Sequence, residues 1–471
     1  MARLLKDPSR FFKKHVGKRR RVLLINPPVQ ERRYHWIRWN QPTELLKLSS
    51  WMKSQLSGVD VRLFDFMFPD ERGAVAKHKV KETWTGTADA LQLWHFGRRF
   101  EDFEGVLNRM LEVEKWVPHV IVISSLTSYW HVSVEKLLTK ICQRLGPTYR
   151  KRVQLVLYGN YPRLEPEHAS RNPDADVALE RTVNAGDLCP DFELYLGPEG
   201  VLPNFFGLDI EVADVASHIG HCLELKELQH RRQGVASRAP ARFAFFNDDV
   251  CSSASQLKDI ASFVSPRRRQ IFVDGICGIR PPTLDRERIE LLDECGFRTL
   301  FVEHARLKGG GTDLDAYAPL VDFMREDRRA RSVGKACTSF SDREKVTAFV
   351  NFGLPDDNLD LVVKSTLELN SWFQGIIMKP QGYSPTVDAS TIQQRRERWN
   401  QPCEGSPQRF PYVGNGSPLS RADYNNLVRW QNLLNKRVKG QTFDFLDRDN
   451  TVARLVRETL IAESWKPQAE T

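Results

Sequence analysis

The sequence predicts an α/β protein in which largely apolar parallel strands alternate with helices in two successive domains. Three observations carry this: short aliphatic runs that end in proline, glycine or small polar residues; stretches of apolar residues at helical spacing between them; and a proline- and glycine-rich bridge near the middle of the chain.

The first run, Val22-Leu23-Leu24-Ile25, stops at Asn26-Pro27-Pro28, which reads as a buried strand ended by a loop. Residues 43–56 place Leu45, Leu46, Leu48, Trp51, Met52 and Leu56 at helical spacing, closed by Gly58. Further strands are expected over 59–66, 120–123 and 153–157. The last two run into Ser124-Ser125-Leu126-Thr127 and Gly159-Asn160. Strands this apolar are buried on both faces, so the sheet is parallel and covered by helices. Ligands bind such sheets beyond the strand carboxyl ends, where the strand order reverses. The polar loops at Asn26, Ser124 to Thr127 and Gly159 fall there.

The bridge contains Pro190, Gly197, Pro198, Gly200, Pro203 and Gly207 and marks a domain boundary. Beyond it, helices over 211–229, 254–264 and 285–295 alternate with strands over 242–246, 270–274, 299–303, 348–352 and 375–379. Five or six such units suggest a full or partial parallel barrel, with Asp249, Glu303 and Gly353 at its carboxyl ends. Helices over 420–437 and 450–464 close the chain. The expected divisions are a basic arm (1–20), a first domain (21–185), a barrel (186–390) and a C-terminal helical extension (391–471).

Composition narrows the function. The 471 residues exceed what one core supports, and 41% hydrophobic content with 11 tryptophans rules out a disordered chain. No apolar run approaches the roughly 20 residues that span a bilayer, and the basic start lacks a secretory h-region, so a cytoplasmic protein is expected. Of the net charge of +9, residues 1–21 carry +8, with nine Lys/Arg against Asp7. That segment reads as a solvated, loosely ordered terminus, with a basic arm touching nucleic acid or anionic lipid as the alternative. The nearly neutral remainder argues against nucleic-acid binding.

The eight cysteines stand singly, the nearest pair (Cys277 and Cys295) 18 residues apart, so zinc-ribbon, redox and cluster spacings are all absent. Lys308 to Thr312 is glycine-rich without phosphate-loop spacing. His218, His221 and Cys222 share a helix face but lack further ligands in sequence to complete a tetrahedral metal set. Asp248 and Asp249 suit either a site or a helix cap.

The order of these pieces resembles the cobalamin-binding radical S-adenosylmethionine family. Ile25-Asn26-Pro27-Pro28 is similar to that family's first strand end. The segment from Pro118 to Thr127 is similar to its "PDVVGISSLT", and that from Val156 to Pro162 to its "VVLGGxHP". Phe245-Phe246-Asn247-Asp248-Asp249 resembles a strand ending in paired acids. Leu292 to Gly296 with Phe301-Val302-Glu303 is similar to "LLKEAGFRxxxxGIES". Gly353-Leu354-Pro355 and Tyr383-Ser384-Pro385 resemble two later signatures, and the likeness covers roughly residues 21–388.

The resemblance implies a Rossmann-like cobalamin-binding domain followed by a partial (β/α)6 TIM-like radical barrel. Asn26, Pro27, Ser125, Thr127, Gly159 and Asn160 would line the cobalamin site. Asp249, Glu303 and Gly353 would face the barrel cavity, where S-adenosylmethionine binds. The departures are as informative. The family holds a [4Fe–4S] cluster with C-x-x-x-C-x-x-C after its first barrel strand. Taking 242–246 as that strand, the following loop offers only Cys251, and the bridge only Cys189. The cluster is therefore expected to be absent, and radical chemistry with it. A cysteine trio assembled in space, such as Cys189, Cys222 and Cys251, is the remaining route to a cluster. The histidine motif that ligates cobalamin elsewhere is missing, and Asn160 replaces a usual glycine. Two functions follow: a methyltransferase working by polar transfer through methylcobalamin, or a non-catalytic partner or ligand sensor for an intact paralogous radical enzyme. The substrate would be a small molecule or peptide.

Overall fold

The computed structural model describes residues 1–16, 20–32, 41–69, 74–80, 93–125, 130–196, 202, 205–209, 212–233, 240–245, 250–251, 253–268, 270–275, 278–332, 346–354, 356–373, 375–380, 418–436 and 449–464. These divide into two compact units, residues 1–202 with 221–233, and residues 205–220 with 240–464.

The first unit contains β1 (Arg3–Leu5), α1 (Pro8–His15), β2 (Arg21–Asn26), β3 (Val29–Arg32), α2 (Thr43–Gln55), β4 (Asp60–Asp65), β5 (Lys77–Lys79), β6 (Leu93–Phe96) and α3 (Phe100–Asn108). It continues with β7 (Val120–Ser124), α4 (His131–Arg150, broken at Gly146-Pro147), β8 (Gln154–Tyr158), α5 (Asn160–Leu164), α6 (Pro166–Ser170) and β9 (Val177–Leu179). Six strands form one parallel sheet in the order β1-β9-β8-β7-β2-β4. Successive side chains of a strand point to opposite faces, and both faces are buried. Leu23, Ile25, Ile121, Ile123, Leu155 and Leu157 pack with Phe103 of α3 and with Val134, Leu137, Leu138 and Ile141 of α4. Val22, Leu24, Val120, Val122 and Val156 pack on the other side with Phe12 of α1 and with Leu45, Leu48, Trp51 and Met52 of α2. Each such buried aliphatic side chain stabilises by about 1.5–3 kcal/mol over leaving it exposed. A separate antiparallel sheet, β3-β6-β5, follows the Pro27-Pro28 turn.

The basic N-terminus is not a loose arm. Strand β1 pairs in parallel with β9, and α1 starts with Pro8 behind Asp7, whose carboxylate accepts the Arg10 N–H at 2.8 Å. Phe11, Phe12 and Val16 are buried, with the Phe12 ring 6.3 Å from Trp51 and 6.2 Å from Tyr158. Charge dominates the composition of this segment, but two phenylalanines on one helix bury enough apolar surface to order it.

The second unit holds β10 (Phe205–Leu208), α7 (Val215–Gln233, whose later residues group with the first unit), β11 (Ala241–Phe245), α8 (Ala254–Val264), β12 (Ile271–Gly275), α9 (Arg286–Glu294) and β13 (Phe297–Val302). Then come α10 (Ala318–Ser332), β14 (Val346–Phe352), α11 (Leu359–Trp372), β15 (Gly375–Pro380), α12 (Arg421–Lys436) and α13 (Thr451–Ser464). The six strands lie side by side in sequence order, every pair parallel. No ladder joins β15 back to β10 among the described residues. The first strand is Phe205–Leu208, inside the stretch read as a bridge, rather than the one over 242–246. Proline and glycine around a four-residue strand hid it, and its partner β11 supplies the pairing that local sequence does not reveal.

The C-terminal helices are part of this unit. Helix α12 covers the β15 edge, and its side chains stand in for a neighbouring strand. Asn435 accepts the Ile376 N–H at 2.8 Å and donates to the Ile376 carbonyl at 2.6 Å, while Gln431 accepts the Met378 N–H at 2.6 Å. Replacing Asn435 by alanine leaves a strand N–H and C=O without these partners. It is expected to lower the unfolding free energy by about 2 kcal/mol, seen as a lower urea midpoint at unchanged slope. An unmoved midpoint would show that the edge is held by other means.

Candidate functional site

The first sheet reverses direction at β2. The chain passes from β2 to β4 on one side and then to β7 on the other, so the carboxyl ends of β2 and β7 flank the switch point. Asn26 ends β2 and Asp65 ends β4, in register across the ladder, and Asn26 Nδ2 donates to Asp65 Oδ1 at 2.6 Å. The Met67 N–H donates to the same oxygen at 2.9 Å, and the Tyr195 hydroxyl donates to Oδ2 at 2.9 Å. Three donors on one buried carboxylate fix this corner. Burial first, and then Asp65, push the Tyr195 phenol well above its ordinary value.

On the β7 side, Ser124 Oγ donates to Glu44 Oε2 at 3.3 Å. Glu44 lies in the first turn of α2, where a carboxylate suits the helix dipole. Burial of its carboxyl raises its pKa, partly offset by Ser124, by the Arg163 charge and by the Asn160 N–H. Gly159 begins the turn into α5 at φ +82°, and a Cβ there would collide with Glu44 Oε2 and Ser124 Oγ. Only glycine fits this position.

Asn26, Pro27, Ser125, Gly159 and Asn160 therefore stand at the ends of β2, β7 and β8, with Asn26, Pro27 and Ser125 buried. Thr127 and Asp249 lie outside the described residues. Glu44, Asp65 and Tyr195 went unread in the sequence. Glu44 looks like an ordinary acidic residue of a helix first turn, and Tyr195 reaches Asp65 across 130 positions of chain.

Glu303 and Gly353 belong to the second unit. Glu303 directly follows β13, takes Lys379 Nζ at 3.3 Å and packs so closely on Gly278 that a Cβ there would collide with it. Beside it, buried His304 accepts the Asn351 N–H on Nδ1 at 3.2 Å, which leaves the proton on Nε2 for Thr312 Oγ1 at 3.1 Å. Burial, then the Arg306 charge, pushes this imidazole down to about 4, so it stays neutral. Gly353 needs its φ of +95°, and the side where a Cβ would project is filled by the Tyr424 phenol of α12 rather than open to a cavity. Asp357 receives the Gly353 and Leu354 N–H groups and, with Asp356, pairs with Arg306.

Among the described residues no three cysteines come together as a [4Fe–4S] cluster would need. The segment after β10, Asp209-Ile210-Glu211-Val212-Ala213-Asp214, contains no cysteine. Cys189 and Cys222 meet within the first unit, where burial holds the Cys222 thiol far above its ordinary value. Cys251 belongs to the second unit, and Cys277, Cys337 and Cys403 lie outside the described residues. No cysteine joins a group of three metal-ligating side chains among the described residues.

No family model matches the chain, and no curated protein matches it. Among solved structures it is similar to the radical S-adenosylmethionine methyltransferase TsrM from Kitasatospora setae with tryptophan substrate and a SAM analogue bound. That likeness has 12% identity and a TM-score of 0.44 over 76% of this chain and 73% of that one. It is also similar to the apo form of the cobalamin-dependent S-adenosylmethionine radical enzyme OxsB, at 13% identity and a TM-score of 0.44, over 91% of this chain and 63% of that one. TsrM has also been solved with cobalamin and a [4Fe–4S] cluster bound; there the identity is 11% and the TM-score 0.42 over 80% of this chain and 75% of that one.

Two outcomes follow from the Glu44–Ser124–Gly159 contact. Gly159→Ala is expected to cost about 1–3 kcal/mol, from backbone strain and overlap. Glu44→Ala in the same chain should recover part of that loss, and additivity in a double-mutant cycle would refute the contact. A carboxyl whose folded pKa is raised stabilises the fold below the ordinary carboxylate range, and loses that contribution as pH rises through the folded value. The stability of the wild type relative to Glu44→Gln should therefore decline from pH 4 upward in thermal unfolding. A pH-independent difference would contradict the buried carboxyl.

Proposed function

We propose that this chain is a corrinoid-binding α/β protein that holds cobalamin over the switch-point edge of its first sheet and serves methyl transfer by a polar rather than a radical route. The observation that carries the reading is the convergence of Asn26, Ser125, Gly159 and Asn160 at the carboxyl ends of β2, β7 and β8, in the strand order that places ligands there. The order of sequence motifs similar to cobalamin-binding radical enzymes supports the same assignment.

The donor set suits a polar ligand tail. Space suits it once Glu44 turns away from Gly159, because the Glu44 carboxyl and the Ser124 hydroxyl fill the room beside that glycine. Glu44 is only partly buried as a residue, although its carboxyl end is held in the buried corner beside Gly159. A bound corrinoid supplies a carrier from which a methyl group passes to a nucleophile. Asn26 is held in orientation by Asp65 at the carboxyl end of β2, beside the proposed ligand edge. Ser125 and Thr127 are assigned to the tail, and Pro27 fixes the turn beside it. Asp249 and Glu303 are assigned to S-adenosylmethionine, with Glu303 exchanging Lys379 for the ligand's ammonium group; Gly353, filled over by Tyr424, is not. The absence of cysteines from residues 209–214 supports a reaction without a radical initiator.

The test is purified full-length protein incubated anaerobically with hydroxocobalamin, iron and sulfide, then desalted. About one corrinoid per chain by absorbance is expected, with iron and sulfide far below stoichiometric. Glu44→Ala should bind several-fold more tightly, and Gly159→Val should lose binding. A colourless protein would end the corrinoid assignment. Four irons and four sulfides per chain would end the polar route.

A further inference from the structure

The described residues bring together one other set of chemically matched side chains, in the first unit and on helices that the assignment above does not use. We propose that His131, Glu135 and His168 form a site for a divalent transition metal of the zinc type, with an open coordination position toward the adjoining cavity. One nitrogen from each ring and one carboxylate oxygen lie within 4.8 Å of one another. His131 and Glu135 are four residues apart in α4, so they share a helix face, and α6 brings His168 to them. The two imidazoles meet edge to face at 4.8 Å between centroids.

The ligand types choose the metal. Calcium and magnesium take oxygen ligands, whereas two imidazoles and a carboxylate suit zinc and its neighbours. Donor atoms around a tetrahedral zinc, with bonds of about 2.0–2.2 Å, lie about 3.4 Å apart, so modest side-chain rotations bring this set onto one ion. Both histidines are buried, while Glu135 is half-buried. Burial pushes the Glu135 carboxyl up to about 7, and a cation would supply the countercharge that favours its ionised form.

The surroundings are built for ligation. The Tyr161 hydroxyl sits 2.7 Å from Nδ1 of His168. With Nδ1–H donating to that oxygen, the lone pair is on Nε2, the usual outer support of a metal-bound histidine. Glu135 and His168 also line a cavity of about 270 Å³ together with Arg171, Asn172 and Asp174, which gives an entry path and room for a fourth ligand. Three protein ligands beside a cavity are the pattern of a metal that exchanges a ligand, not of a closed structural site. Arg171 in the wall suits a small anion in that position.

Full-length protein, stripped with a chelator and without cobalamin, is titrated with zinc chloride in a calorimeter and separately loaded with cobalt(II). One zinc per chain is expected, with visible cobalt ligand-field bands and no thiolate charge-transfer band. Glu135→Gln, which preserves shape, and His168→Ala should each weaken zinc binding by at least 10-fold. Tyr161→Phe should weaken it by about 10-fold, and His221→Ala should leave it unchanged. No zinc binding, binding that survives Glu135→Gln, or a thiolate band in the cobalt spectrum would each overturn the site. If His168→Ala does not fold, Glu135→Gln and the wild-type cobalt spectrum still decide it.

Discussion

A parallel strand buried on both faces has no place for a polar side chain along its length, and the central strands of the first sheet follow this. Val22 to Ile25, Val120 to Ile123 and Leu155 to Leu157 divide their aliphatic side chains between two cores. The polar groups of these strands are thereby driven to the strand ends. Asn26, Asp65, Ser124 and Gly159 stand at one edge because there is nowhere else in the layer for them. The elements on either side then set how firmly each of these groups is held.

That division of labour is visible in the two corners of the switch point. Around Asp65 the Asn26, Met67 and Tyr195 donors all come from the protein, so the corner is a fixed wall. Around Gly159 a carboxyl occupies the one place where the backbone lacks a side chain, and burial makes that carboxyl reluctant to ionise. The two corners of one sheet edge thus differ in how their carboxyl is held: one by three donors, the other by burial against a bare backbone.

The core strands were legible because unbroken aliphatic runs ended by Pro27, Gly159 or Gly353 have few other interpretations. The helix bounds were legible because apolar spacing survives in a single sequence. Other features were hidden for identifiable reasons. The charge of residues 1–21 masked Phe11 and Phe12, whose burial orders the segment. Phe205–Leu208 is too short, and too close to Pro203, to announce a strand before its partner is known. Asn26, Ser125 and Gly159 could be placed from topology alone. Glu44, Tyr195 and the pairing of His131 and Glu135 with His168 depend on long-range packing. The one local trace of that last group was a histidine and a glutamate four positions apart, a spacing common on any helix.

Asn435 and Gln431 occupy hydrogen-bonding groups that β15 would otherwise offer to a further strand. A bare parallel rim is a template on which a second molecule can add itself, and then a third. The final helices thus act as a cap against polymerisation. A chain cut ahead of Arg421 would be prone to self-association even with every residue of both sheets intact.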